Sequence, residues 1–187
     1  MTGRDPQPDR PARSPGEAMA PDVAALEVRI QRLEDERDIA RLVASYGPRV
    51  DAADADGTAE LWATDGGYDV EGWTMASRED VRAMVGSRSH RALVASGCSH
   101  FLGPAVVTVD GDSAVAVCES LLLLRRDTPD GASEYVVWRA TANHFEVARI
   151  GGKWQITRRS SRVLNGDPAA HRLLISGLAG EPASEPR

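Results

Sequence analysis

Two side chains in this sequence have the types needed to move a proton, the carboxylate of Asp51 and the imidazole of His100. A carboxylate that accepts the Nδ1–H of an imidazole fixes its tautomer and raises its basicity, leaving Nε2 free to act near neutral pH. Their types alone leave another reading open, in which Asp51 caps the acidic turn that follows it and His100 is a hydrogen-bonded core histidine. Tyr46 follows Leu42 by one helical turn and therefore lies on an apolar face; its hydroxyl could polarise a carbonyl or simply reach out of the core. Asn143 alternates with Thr141 and Arg139, so the three share one face of a strand, and asparagine is unfavourable there unless something needs its amide. Arg125 closes the apolar run Leu121 to Leu124, as a pocket cation or as a solvated strand end. Trp62, Trp73, Trp138 and Phe145 are expected in the core or in the wall of an apolar pocket, which would suit a flat hydrophobic ligand. His144 is expected on the opposite strand face, at the surface or an interface, and Arg158 and Arg159 are expected as surface charges.

The bulk properties narrow the field. A chain of 187 residues, 42% apolar and 27% charged, supports one domain with one substantial core. A net charge of -6 argues against non-specific binding to nucleic acid or to an anionic membrane surface. Cys98 and Cys118 have no partners at disulfide-framework or zinc spacing, and no glycine loop is built to cradle phosphate, so neither a metal nor another cofactor is expected. No apolar run approaches the ~20 residues that span a bilayer, and the N-terminus lacks the apolar stretch of a signal peptide. The expected location is cytoplasmic.

The elements that must position these groups fall into two halves. Residues 1–21, with five prolines and almost nothing apolar, read as a disordered leader. From Asp22 to Asp51, Leu26, Ile30, Leu33, Ile39, Leu42, Val43, Tyr46 and Val50 recur at helical spacing, with Asp22 as N-cap and a kink or break predicted at Gly47-Pro48. A short helix around Gly57 to Ala63 and another capped by Ser77 should follow. From Ser99 onward the texture is β, with strands over His100 to Val109, Ser113 to Arg125, Glu134 to Ile150 and Lys153 to Val163. Asp110-Gly111-Asp112 and Gly151-Gly152 are tight antiparallel joints. The resulting class is α+β: N-terminal helices laid over a curved antiparallel sheet, a cone enclosing an apolar pocket. The folded domain is expected over 22–165, with a partly disordered extension over 166–187.

Four stretches carry a family likeness: Ile39-Ala40-Arg41-Leu42-Val43-Ala44-Ser45-Tyr46 followed by Val50-Asp51; Ser99-His100-Phe101-Leu102-Gly103; Val107-Thr108-Val109-Asp110-Gly111-Asp112-Ser113-Ala114; and Gly151-Gly152-Lys153-Trp154-Gln155-Ile156. In this order the sequence resembles SnoaL-like (nuclear transport factor 2-like) proteins, nearest the branch holding scytalone dehydratase and the bile-acid 7α-dehydratase. The resemblance implies that Asp51 and His100 match the Asp–His pair of both dehydratases and Tyr46 the pocket tyrosine of the bile-acid enzyme. It also places Asn143 and Thr141 on the strand asparagine and serine of scytalone dehydratase. Arg125 stands where that enzyme has a second histidine, and Leu123 near an aspartate of the other. The implied activity is a cofactor-independent lyase or isomerase, of dehydratase or cyclase type. It would act by His–Asp acid–base catalysis on a hydrophobic polycyclic or polyketide-like molecule, as a homodimer or higher homo-oligomer. The alternative is a non-catalytic binding or partner subunit like the small subunit of ring-hydroxylating dioxygenases.

Overall fold

The computed structural model describes residues 22–183. Helix α1 (Val23–Asp51) starts at Asp22, whose carboxylate accepts the N–H of Ala25 at 3.3 Å. The helix is unbroken at Gly47-Pro48. Pro48 lies so near the helix end that its missing N–H costs one bond, and its carbonyl still accepts the N–H of Ala52 at 3.0 Å. Gly47 matters for another reason: a Cβ there would stand 2.0 Å from the carbonyl oxygen of His100. Its absence lets α1 lie directly on the strand that carries the imidazole. The apolar residues of α1 are buried only in its C-terminal half, through Ile39, Val43, Tyr46 and Val50; Leu26, Ile30 and Leu33, expected on the same stripe, are exposed.

After α1 the order departs from expectation. Helix α2 (Ala55–Ala59), capped by Asp54, is shorter and earlier than predicted, and two unforeseen strands follow, β1 (Trp62–Val70) and β2 (Trp73–Met75). Helix α3 (Arg78–Gly86) is capped by Ser77 as expected. Ser87 caps a further helix, α4 (Arg88–Ser96), by accepting the N–H of His90 at 3.1 Å. The predicted first long strand is two, β3 (Cys98–Leu102) and β4 (Val106–Asp110), which both pair with β5 (Ser113–Asp127). Strands β6 (Ser133–Ile150) and β7 (Lys153–Val163) complete the sheet, whose order is β2-β1-β7-β6-β5-β3. All pairings are antiparallel except β1 with β7.

The class is α+β, a curved, open sheet with helices, as the sequence implied. The main core lies between the concave face and α1, with Phe145, Val147, Trp154 and Ile156 of the last strands against Ile39, Val43 and Val50. The other face is covered by α5 (Pro168–Leu178), which lies in the stretch expected to be a partly disordered extension. Gly177 permits this docking, since a Cβ there would come within 2.5 Å of the Val117 side chain. The expected leader, 1–21, and residues 184–187 lie outside the described residues. No helix among the described residues is long and apolar enough to cross a membrane.

Candidate active site

The C-terminal turn of α1 and the start of β3 bring Asp51 and His100 together. Asp51 Oδ1 accepts from the ring Nδ1 of His100 at 2.6 Å, and Asp51 Oδ2 accepts from the backbone N–H of His100 at 2.8 Å. With Nδ1 donating, the neutral ring presents an unprotonated Nε2, and the imidazole forms part of a cavity wall. Burial pushes the His100 pKa below its ordinary 6.5, an effect that outweighs the opposing pull of Asp51 and is reinforced by His90 and Arg159. The ring is therefore a neutral base at pH 7. His90, on α4, supports this corner from behind: its Nε2 donates to the carbonyl oxygen of Val50 at 3.1 Å, and its ring centroid lies 6.0 Å from that of His100.

The cavity encloses about 110 Å³. Tyr46 and Tyr68 stand on one side, and Thr141, Asn143 and Ser161 of β6 and β7 form the floor. Tyr46 is packed edge-on against Trp62 and Tyr68, with centroids 5.8 Å and 6.4 Å away. Burial raises the pKa of its hydroxyl far above the ordinary value of 10, so it remains a donor. Asn143 is fully buried and saturated. Its amide nitrogen donates to Ser120 Oγ at 2.8 Å, while its oxygen accepts from Ser161 Oγ at 2.7 Å and from Arg159 Nη2 at 2.7 Å.

Arg159 is the residue that sequence reasoning missed. Expected at the surface, it is 2% exposed, with its guanidinium 4.2 Å, 4.4 Å and 5.0 Å from the rings of Tyr46, Tyr68 and Phe145. Such stacking on π faces offsets part of the cost of burying a cation. Its inward direction follows from a β-bulge: Glu146 pairs with Arg158 and Val147 with Ile156, leaving Thr157 as an extra residue that reverses the alternation.

The other expected site residues divide. Asp51, His100, Tyr46, Thr141 and Asn143 converge at the cavity, Asp51 from behind the imidazole. Trp62 and Phe145 are wholly buried core residues behind this wall. Trp138 is 57% exposed, the extra residue of a bulge in β6, and stacks outside on the Arg139 guanidinium. Arg125 lies away from the cavity near the far end of the β5–β6 hairpin, where it pairs with Asp127 at 2.8 Å and Ser133 at 2.6 Å. His144, expected at the surface or an interface, is buried because the chain after α5 covers it; its Nε2 donates to the carbonyl oxygen of Glu181 at 2.8 Å.

Among the described residues, one group of side chains has clustered metal-ligand atom types: donor atoms of Asp51, Cys98 and His100 lie within 4.8 Å of one another. The Cys98 thiol is pushed up to about 11 by burial and by Asp51, and it donates to Asp51 Oδ1 at 3.7 Å. The Asp51 oxygens are already committed to the His100 hydrogen bonds. This donor set fits a proton-moving pair better than a metal.

A family model described as a SnoaL-like domain matches residues 31–160. No curated protein matches the sequence. Among solved structures, an NTF2-like protein with a cystatin-like fold from Novosphingobium aromaticivorans is 40% identical, with a TM-score of 0.76 over 82% of this chain and 97% of that one. A protein of unknown function from Mycobacterium tuberculosis is 22% identical, with a TM-score of 0.59 over 90% of this chain and 99% of that one. A protein provisionally described as a scytalone dehydratase, also from Novosphingobium aromaticivorans, is 17% identical, with a TM-score of 0.56 over 71% of this chain and 85% of that one. The last two likenesses concern the fold alone.

Proposed function

This chain belongs to the SnoaL-like domain family, and we propose that it is a cofactor-independent lyase or isomerase in which His100 is the acid–base group. The observation that carries this reading is the Asp51–His100 hydrogen bond of 2.6 Å at the wall of a buried cavity. His100 Nε2 takes a proton from carbon α to a substrate carbonyl. Asp51 stabilises the imidazolium, and the developing enolate oxygen meets the Tyr46 hydroxyl in the field of Arg159. Return of the proton to a departing hydroxyl releases water and completes a dehydration; return to a different carbon completes an isomerisation. The inner cavity is smaller than the ~150 Å³ that accommodates benzene. Only the reacting part of a substrate fits inside, and the rest of its body would extend past Trp73, Met75 and Met84 into the adjoining groove of about 690 Å³ along α3 and α4.

The test is kinetic, using enolisable carbonyl compounds with a β-hydroxyl group and following loss of water or solvent-deuterium exchange. His100→Ala should lower kcat by about 10²–10⁴-fold with little change in KM, because the base acts on the transition state. Tyr46→Phe should cost less, at most about 10²-fold, since Arg159 remains beside the oxyanion. Unchanged turnover in His100→Ala rules out the general-base role. Ligand binding without turnover in the wild type favours a binding subunit instead.

A further inference from the structure

Among the described residues, the cavity wall contains two arginines, Arg139 and Arg159, and no acidic residue; Asp51 stands behind His100 rather than in the wall. Among the described residues, four buried side-chain polar atoms lack a hydrogen-bond partner, and two of them are Arg139 Nε and Arg159 Nη1. Arg159 Nε and Nη2 are both spent on Asn143 Oδ1, a neutral acceptor, and the remaining Nη1, on a side chain that lines the cavity, has no hydrogen-bond partner; no carboxylate pairs with this guanidinium among the described residues. A buried cation stacked on three rings with one fork nitrogen unsatisfied is an incomplete ion pair.

We propose that the resting substrate completes this pair: it carries an anionic oxygen that Arg159 Nη1 receives, with Arg139 contributing from the same wall. The substrate is thus an acid, with either a carboxylate or an acidic phenol or enol as the source of the charge. A neutral polycycle would leave Arg159 Nη1 and Arg139 Nε without a hydrogen-bond partner. An anion held there also orients the rest of the molecule, placing its reacting carbon toward the imidazole in the same small cavity. The inference rests on this cavity being the substrate site.

Binding to the intact protein tests it without knowledge of the substrate. Calorimetry would compare benzoate, cinnamate and 2-naphthoate with their primary amides, and the visible absorbance of 4-nitrophenol would report whether it binds as phenolate. At least one carboxylate should bind about tenfold more tightly than its amide, or nitrophenol should bind as the anion at a pH where the free compound is mainly neutral. The first result identifies a carboxylate and the second a phenol or enol. Arg159→Gln should bring the acid–neutral ratio to within about threefold, and Arg139→Gln should lower it. The wild-type comparison stands alone should Arg159→Gln fail to fold. His100→Asn should keep the preference; full turnover in that variant alongside a retained preference would overturn the general-base mechanism and leave this inference standing. If every acid binds no better than its neutral partner, or if the preference survives in both arginine variants, the inference is overturned.

Discussion

Asp51 grips His100 at two points, accepting from the ring Nδ1 with one carboxylate oxygen and from the backbone N–H with the other. The clamp sets both the rotation of the ring and the position of the strand start. An amide cannot reproduce it. In Asp51→Asn, the oxygen can serve only one of the two donors, and the NH₂ group must face the other. If NH₂ faces the ring, the proton moves to Nε2 and the base is lost. kcat should fall by about 10²–10⁴-fold while the fold remains, as circular dichroism and single-turnover rates would show together. Wild-type rates in Asp51→Asn would leave the carboxylate a purely structural part.

The depressed pKa of His100 predicts the acid limb of the activity. kcat/KM should fall on acidification with an inflection below 6.5, as protonation removes the base. A limb at or above the ordinary histidine value would mean that another group controls turnover.

Gly47 sets the distance between α1 and β3, and hence the clamp. Gly47→Ala places a methyl 2.0 Å from the carbonyl oxygen of His100, a backbone atom that cannot swing aside. The strain should cost roughly 1–3 kcal/mol or more, although alanine is the better helix former. Chemical denaturation would reveal the loss, and activity should drop with it because Asp51 is carried on the same helix. A neutral or stabilising result would contradict this packing.

Two histidines link stability to pH. Burial depresses both His100 and His144 below 6.5 in the folded state. The unfolded chain therefore binds protons first, and stability present above pH 6.5 should be lost as pH falls toward the folded-state pKa values, by up to about 1.4 kcal/mol per pH unit for each group. Asp69, held below 3.8 chiefly by Arg162, loses its contribution only in stronger acid. In His144→Gln the side-chain amide can still donate to Glu181, so the melting temperature should vary less between pH 7.5 and 5.5 than in the wild type. An identical slope would remove His144 from the linkage.

Much of the fold was readable from local pattern. The tight turns at Gly111 and at Gly151-Gly152 locate the β4–β5 and β6–β7 hairpins, and helical spacing from Ile39 to Val50 identifies the buried half of α1. Chemistry and likeness pointed to Asp51, His100 and Tyr46. What escaped depends on register and distant partners. Counting by twos from Trp154 and Ile156 turns Arg158 inward and Arg159 outward, and only the bulge at Thr157 reverses this. The same kind of insertion at Trp138 carries no mark in the sequence. Strand β1, with Gly66 and Gly67 in its middle, has little strand propensity of its own and is held by parallel pairing to β7. His144 needs the chain beyond α5 to bury it.

That parallel pairing also governs when the cavity can exist. Tyr68 and Arg159 are sheet neighbours drawn from the first and last long strands of the sheet, and Tyr46 arrives from still earlier in the chain. Closing so long a loop has an entropic cost that precedes its reward, and folds dominated by distant contacts assemble slowly. A chain emerging from the ribosome carries Asp51 and His100 long before β7 supplies Arg159. The proton-moving pair and the cation therefore meet only when the last strand docks, and completion of the sheet and appearance of the site are one event.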